Sequence, residues 1–319
     1  MNEANGYYDP ITYQVTQQEE GWTVKAVLDR KLKLSKRMRV RLKTVENGIT
    51  LNGEACYLSK PVRAGDVVAI RMEQETSDDI LPQDIPLHIL YEDEQLLVVS
   101  KPAGLIVHPT SGHYLNTLAN GVVYYWQAKG EKYRFRPIHR LDQDTSGVLA
   151  IAKNAYAHQM VSEQLKKGTV DKLYHAIVFG CPDPAEGTVN APIDRNPENP
   201  HERIVIECGA HAITHYSTER VFIDAALVKV RLETGRTHQI RVHMKYIGHS
   251  IIGDQFYGIA RPNESREERH QWIGRQALHA SLLAFDHPIS GERLVLEAPL
   301  PQDMSELITR LEQLDETER

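Results

Sequence analysis

Between residues 20 and 73 the spacing of apolar positions changes twice. Val24, Val27, Leu28 and Leu32, then Met38, Leu42 and Val45, fall at helical intervals in two pieces. Ser35 stands where an N-cap would sit, and Gly48 where a helix would end. The segment "ITLNGEACYLSKPVRAGDVVAIRME" then alternates around Asn52-Gly53, which predicts a β-hairpin. Residues 20–73 therefore read as a small α/β module, with 1–19 as an N-terminal extension. Residues 74–86 lie in the polar, acidic, Pro-bearing stretch "EQETSDDILPQDIP" and read as a linker.

From residue 87 to 302 strands and helices mingle. "QLLVVSKPAGLIVHP" predicts two short strands broken at Pro102-Ala103-Gly104, and "GVLAIAKN" and "KLYHAIVFG" predict one each. "ALVKVRLETG" alternates, with Val228, Val230 and Leu232 on one face. Asn154 caps a helix that Gly168 closes. A second helix is expected over "THQIRVHMKYIG", with Thr237 as cap, Gly248 as stop and Ile240, Met244 and Ile247 as its apolar stripe. Strict strand–helix alternation is missing, so the expected sheet is mixed. Residues 303–319 read as an acidic tail.

Composition narrows the class. Among 319 residues, 41% are hydrophobic and 25% charged, as in ordinary globular proteins. No apolar run approaches a membrane span, and the start shows no secretory pattern. Cys56, Cys181 and Cys208 fit neither a disulfide framework nor metal spacing, which suggests a reducing, cytoplasmic setting. The net charge of −6 argues against a polyanion partner until its distribution is considered. Val24 to Lys43 holds nine basic residues and one acid, Asp29, while Met72 to Ser100 holds eight acids and no Lys or Arg. A basic stripe dominates its own surroundings because more distant charge is screened. It is either a solvated helix face or a polyanion site.

Known catalytic patterns are mostly missing. No G-x-S-x-G surrounds Ser146, and no Gly-rich phosphate loop or dinucleotide fingerprint occurs. His238 and His243 are badly spaced for a metal and read as packing residues, and His108 is unsupported as a ligand. The stretch "RPIHRLDQDTSGVLAIAKN" remains. Asp142 lies beside Arg140 just ahead of a buried strand, where an arginine would keep a partly desolvated carboxylate ionised. Such a carboxylate can attack a sugar carbon. Alternatively Asp142 and Asp144 only shape turns. The charged insert 260–276 reads as a solvated surface loop that a polyanion could touch.

"HRLDQDTSGVLAIAKN" resembles the signature loop of the RluA-type pseudouridine synthases. "LLVVSKPAGLIVHP", "KLYHAIVFG" and "LETGRTHQIRVHMKYIGHSIIGDQFYG" resemble further family segments, in the family's order. The basic module resembles the S4-like RNA-binding domain that many members carry. The resemblance implies an α+β catalytic domain with a mixed, largely antiparallel sheet. It implies Asp142 as the essential residue, Tyr174 against the target base as the candidate for removing the C5 proton, and Arg241 paired with Asp142. Arg140 would displace the target nucleotide from its stack, and Leu141 and Ile240 would wall the pocket. His139 and Arg39 complete the expected substrate contacts. Isomerisation requires neither cofactor nor metal. The implied partner is ribosomal or transfer RNA, with no membrane contact and a monomer as the simplest state. A binding factor with a degenerate site and a base-releasing glycosidase are the rival readings.

Overall fold

The helical spacing near the N-terminus becomes α1 (Val24–Arg30) and α2 (Lys36–Leu42) in the computed structural model, which describes residues 6–258 and 272–317. The Thr23 and Ser35 hydroxyls accept from the Ala26 and Met38 N–H groups and so cap the two helices. Asn52 (φ 54°) and Gly53 (φ 85°) make the tight turn between β2 (Ile49–Leu51) and β3 (Glu54–Ala55). With β4 (Val67–Ile70) and β1 (Ile11–Gln14) these strands form an antiparallel sheet in the order β1-β4-β2-β3. Residues 11–19 are thus part of the module rather than an extension before it. β1 pairs with β4 along its full length, and buried Glu19 receives Lys31 at 2.6 Å.

The module sits against α4 (Ala155–Lys167). Tyr156 is buried in the module's own core, and the Gln159 amide bonds the Lys33 carbonyl and the Ser35 N–H. The stretch 74–86 holds no helix or strand, but it is strapped down rather than loose. Ser77 and Ile80 are buried, the Phe135 N–H donates to Ser77 Oγ, and Asn120 donates to the Leu81 carbonyl.

The large sheet runs β5 (His88–Glu92), β6 (Leu96–Lys101), β7 (Ser146–Ala152), β14 (Leu278–Asp286), β8 (Asp171–Phe179), β13 (Ala225–Leu232), β12 (Ile213–Val221), β9 (Glu186–Asn190), with β15 (Arg293–Glu297) on the far half of β14. Only β7–β14 is parallel, so the sheet is mixed and largely antiparallel. β10 (Ile193–Arg195) and β11 (Arg203–Val205) form a separate hairpin. "LLVVSKPAGLIVHP" supplies one strand, β6. After its proline turn only an isolated bridge, Ile106 to Thr117, remains.

β7 is buried on both faces. Leu149 and Ile151 join Leu97 and Val99 under α3 (Leu118–Ala128), while Val148, Ala150 and Ala152 face α4 and Phe285. At its start Gly147 (φ 117°) runs so close to β14 that a Cβ would lie 2.1 Å from the Ala280 carbonyl oxygen.

At the C-terminal end one expectation fails, and a second can be compared with the structure only over residues 272–276. Residues 302–317 are helix α6 (Gln302–Thr317), whose Met304, Leu307 and Leu311 enter the main core. Of the insert 260–276, residues 260–271 lie outside the described residues, and Ile273, Arg275 and Gln276 are buried. Arg275 is held inside by Asp303 of α6 and three backbone carbonyls.

Leu307→Ala should lower unfolding free energy by about 2–4 kcal/mol in urea titration, whereas a solvated tail would tolerate it unchanged. Acid should also weaken the fold. Burial lowers the pKa of His139 to about 4, and lowers those of His243 and His279 too. The unfolded chain then binds more protons below about pH 6.5. The stability these histidines contribute is full above that value and is lost as pH drops towards about 4. Chemical denaturation at pH 7.5, 6.5 and 5.5 should show decreasing midpoints.

Candidate active site

Residues 139–145 link two antiparallel paths. Residues 136–138 run beside β7, with the Ile138 N–H on the Ala150 carbonyl and the Ala152 N–H on the Arg136 carbonyl. The chain turns at 142–145, where the Thr145 N–H donates to the Asp142 carbonyl. Two buried cations hold this turn by its backbone. The Lys101 ammonium, fully buried at the end of β6, donates to the carbonyls of Pro102 (2.9 Å), Leu105 (2.8 Å) and Gln143 (2.7 Å). Burial pulls its pKa down to about 7, against the fields of Asp144 and Asp142. Arg275 donates to the Asp144 carbonyl at 3.1 Å. Asp144 thus serves the turn through its backbone, while the Asp142 side chain stays 27% exposed to the cavity.

Opposite the turn lies α5 (Gln239–Tyr246). Its N-cap is His238 in a left-handed conformation (φ 58°), not Thr237. The Gln239 amide replaces a side-chain cap, bonding the Arg236 N–H, Thr234, Thr214 and the Ile213 carbonyl. This pins α5 to β12 and turns Arg241 inward. Arg241 donates two bonds to Asp254, Nε to Oδ2 at 2.6 Å and Nη2 to Oδ1 at 2.8 Å, and a third from Nη1 to Asp142 Oδ2 at 3.2 Å. Burial is the largest single influence and works against its charge, but the bonds and charges of Asp254 and Asp142 together outweigh it and the pKa rises. Asp254 has no exposed side-chain surface and is itself fixed by the Phe256 and Tyr257 N–H groups, each 3.0 Å from Oδ1.

Tyr174 of β8 completes the constellation. It pairs in register with Val230 and Ala280 and lines the same cavity as Asp142, Arg140, Leu141, Ile240 and Arg241. Burial, and then the charge of Asp142, raise its pKa, so the hydroxyl stays protonated at neutral pH. A second cavity opens on the other side of Asp142, bordered by His201, His238 and Phe256.

The structure therefore gathers Asp142, Tyr174, Arg241, Arg140, Leu141 and Ile240 around one cavity. It does not bring two other expected contacts there. The His139 Nε2 accepts from the Ala150 N–H at 3.4 Å, and burial keeps the imidazole neutral. Arg39 is ion-paired with Asp29 inside the module. Sequence reasoning missed Asp254, Lys101 and a place for His238 at the cavity. "GDQFYG" contained Asp254 in plain view, but nothing local marks a partner thirteen residues back. His243, by contrast, is the packing residue expected, bonded to Thr214 and the Ala191 carbonyl.

This arrangement presents an arginine-held carboxylate and a buried tyrosine in a partly apolar pocket, on a domain carrying a basic module. Comparison with known proteins agrees. Residues 95–246 match the RNA pseudouridylate synthase family, and residues 11–68 match the RluD ribosomal pseudouridine synthase N-terminal domain, which begins where β1 does. The chain is 40% identical to the uncharacterized RNA pseudouridine synthase YjbO of Bacillus subtilis, over 87% of this chain and 95% of that protein. It is 40% identical to ribosomal large subunit pseudouridine synthase D of Zymomonas mobilis, over 94% of this chain and 98% of that one. The solved structure of human RNA pseudouridylate synthase domain containing 4 superposes with a TM-score of 0.57 at 26% identity, covering 70% of this chain and 93% of that one. The chain belongs to the RNA pseudouridine synthase family and is an isomerase that converts uridine to pseudouridine in RNA.

Asp254→Asn removes half of the charge that holds Arg241. It should lower stability by about 3–5 kcal/mol in urea unfolding and slow tritium release from C5-labelled uridine at least about tenfold.

Proposed function

We propose that this chain isomerises uridines in large-subunit ribosomal RNA in the cytoplasm, with Asp142 as the reacting carboxylate. The observation that carries the assignment is the 3.2 Å bond from Arg241 to Asp142 within a cavity walled by Tyr174. The names of the relatives support the substrate. Ribosomal large subunit pseudouridine synthase D of Zymomonas mobilis aligns over nearly the whole chain.

A target uridine must leave its stack, at a cost of a few kcal/mol. Arg140 is exposed at the cavity rim and is suited to fill the vacated space. In the pocket, Leu141 and Ile240 exclude water from the base, and the Tyr174 ring packs against it. Asp142 acts at C1′ as the N1–C1′ bond breaks, with Arg241 keeping it ionised before the reaction. The uracil turns, and C5 replaces N1 on the sugar. Tyr174 carries its own proton in the resting state, so it takes the C5 proton only while handing that proton on. No water is consumed: the C5 hydrogen leaves through Tyr174 to solvent, N1 takes up a proton in its place, and the product keeps the composition of uridine.

The module supplies affinity. Lys25, Lys33, Lys36, Arg37 and Lys43 are exposed and carry no ion pair among the described residues. They offer a cationic face for phosphates flanking the target. Arg39 contributes by holding α1 against α2 rather than by touching RNA.

Asp142→Ala should abolish pseudouridine formation in transcribed large-subunit ribosomal RNA while leaving filter-binding affinity within about threefold. Near-normal turnover by the variant would remove Asp142 from the mechanism. Pseudouridine mapping in a deletion strain tests the substrate: loss from transfer RNA alone would reassign it.

A further inference from the structure

His238 borders both cavities beside Asp142, and its bonding determines which ring nitrogen carries the proton. The Tyr257 hydroxyl lies 2.8 Å from His238 Nδ1, and Tyr257 is 1% exposed. That hydroxyl already accepts the Arg203 N–H at 2.9 Å. Its own proton has no other acceptor among the described residues, and a buried hydroxyl proton left without one is costly. It is therefore donated to Nδ1, so Nδ1 accepts and the neutral ring holds its hydrogen on Nε2.

Nε2 lies 3.9 Å from Asp142 Oδ2, the same oxygen that Arg241 holds. At that distance no bond is yet made. Closing by about 1 Å, as substrate displaces water from the cavity, would complete it. The ring meets the rings of Tyr257 (centroids 5.6 Å apart, 75° between planes) and Phe256 (6.4 Å), which also contact each other. Asp142, Arg241, Asp254 and Arg203 are the charged groups that act on it. Burial dominates and lowers its pKa, so the ring is neutral.

We propose that His238 is a positioning residue, a neutral imidazole that gives Asp142 a second hydrogen-bond donor and fixes which carboxylate oxygen is free to face C1′. The inference rests on Asp142 as the reacting group. It also accounts for a non-glycine residue held in the left-handed region at this point, because that conformation sets Nδ1 against Tyr257 while Arg241 enters from the following turn.

Nitrogen-15 spectra of the full-length protein with labelled histidine test the tautomer without RNA. The His238 signals are identified by their loss in His238→Gln. They should report a neutral ring protonated at Nε2, and Tyr257→Phe should convert them to a mixture of tautomers. Single-turnover rates on transcribed large-subunit ribosomal RNA test the role. His238→Gln, which keeps a donor near the Nε2 position, should react within about threefold of wild type. His238→Leu should be slower by about tenfold or more, with RNA affinity changed less than twofold. If His238→Leu does not fold, as judged by thermal unfolding, Tyr257→Phe supplies the rate comparison, with an expected drop of about threefold.

A ring protonated at Nδ1 overturns the proposal. So does a His238→Leu rate equal to wild type, or a His238→Gln rate as low as His238→Leu. An active Asp142→Ala variant would instead overturn the underlying assignment of Asp142, and would leave the tautomer measurement standing.

Discussion

A guanidinium buried inside a protein must be neutralised where it lies, and in this chain that requirement falls on Arg241 and Asp254. The pair is bidentate and almost without solvent contact, and Asp254 is fixed in turn by two backbone N–H groups. A fork anchored this way has little freedom left in its remaining donor, Nη1, which meets Asp142. The weaker contact is the informative one. Asp142 is partly exposed and receives one bond where Asp254 receives four from its described partners. A reacting carboxylate needs its second oxygen free, and a structural one does not.

The opposing wall follows the same logic with backbone in place of carboxylate. Lys101 and Arg275 are buried cations whose partners are mainly carbonyl oxygens, from Pro102 and Leu105, from Gln143 and Asp144, and from Gln276 and Leu278. Each takes up acceptors that a turn would otherwise have to expose to water. The turn can then sit against the core, with Leu141 buried and Asp142 pointing outward. The parallel contact of β7 with β14 brings Arg275 next to a loop 131 residues earlier in the chain.

Local chemistry was legible in the sequence and distant pairing was not. The turn at Asn52-Gly53, the caps at Ser35 and Asn154, and the alternation of β13 depend on neighbours within a few residues, and they stand as expected. The segment holding Asp142 announced itself because a cluster of polar side chains runs directly into the apolar stretch Val148–Ala152. Asp254 did not, since its function exists only once α5 folds back over it. Lys101 carried no local signal either, because no nearby pattern reveals three carbonyls arriving from two loops. His238 was read as packing because its cavity position depends on a left-handed turn. β1 is four residues long, below what alternation can distinguish. Helix α6 was the avoidable miss: Met304, Leu307 and Leu311 form a helical stripe that its surface acids disguised.

Helix α6 also places the completion of the catalytic loop late in the chain. Asp142, Tyr174, Arg241 and Asp254 have all been made by residue 254, so a fragment ending there already contains the whole constellation. The clamp on the Asp144 carbonyl comes from Arg275, and Arg275 is neutralised by Asp303 at the first turn of α6. During synthesis the reactive groups are therefore present well before the loop that carries one of them is locked. Helix α6 thereby couples the shape of the catalytic turn to a segment that follows every reactive group along the chain.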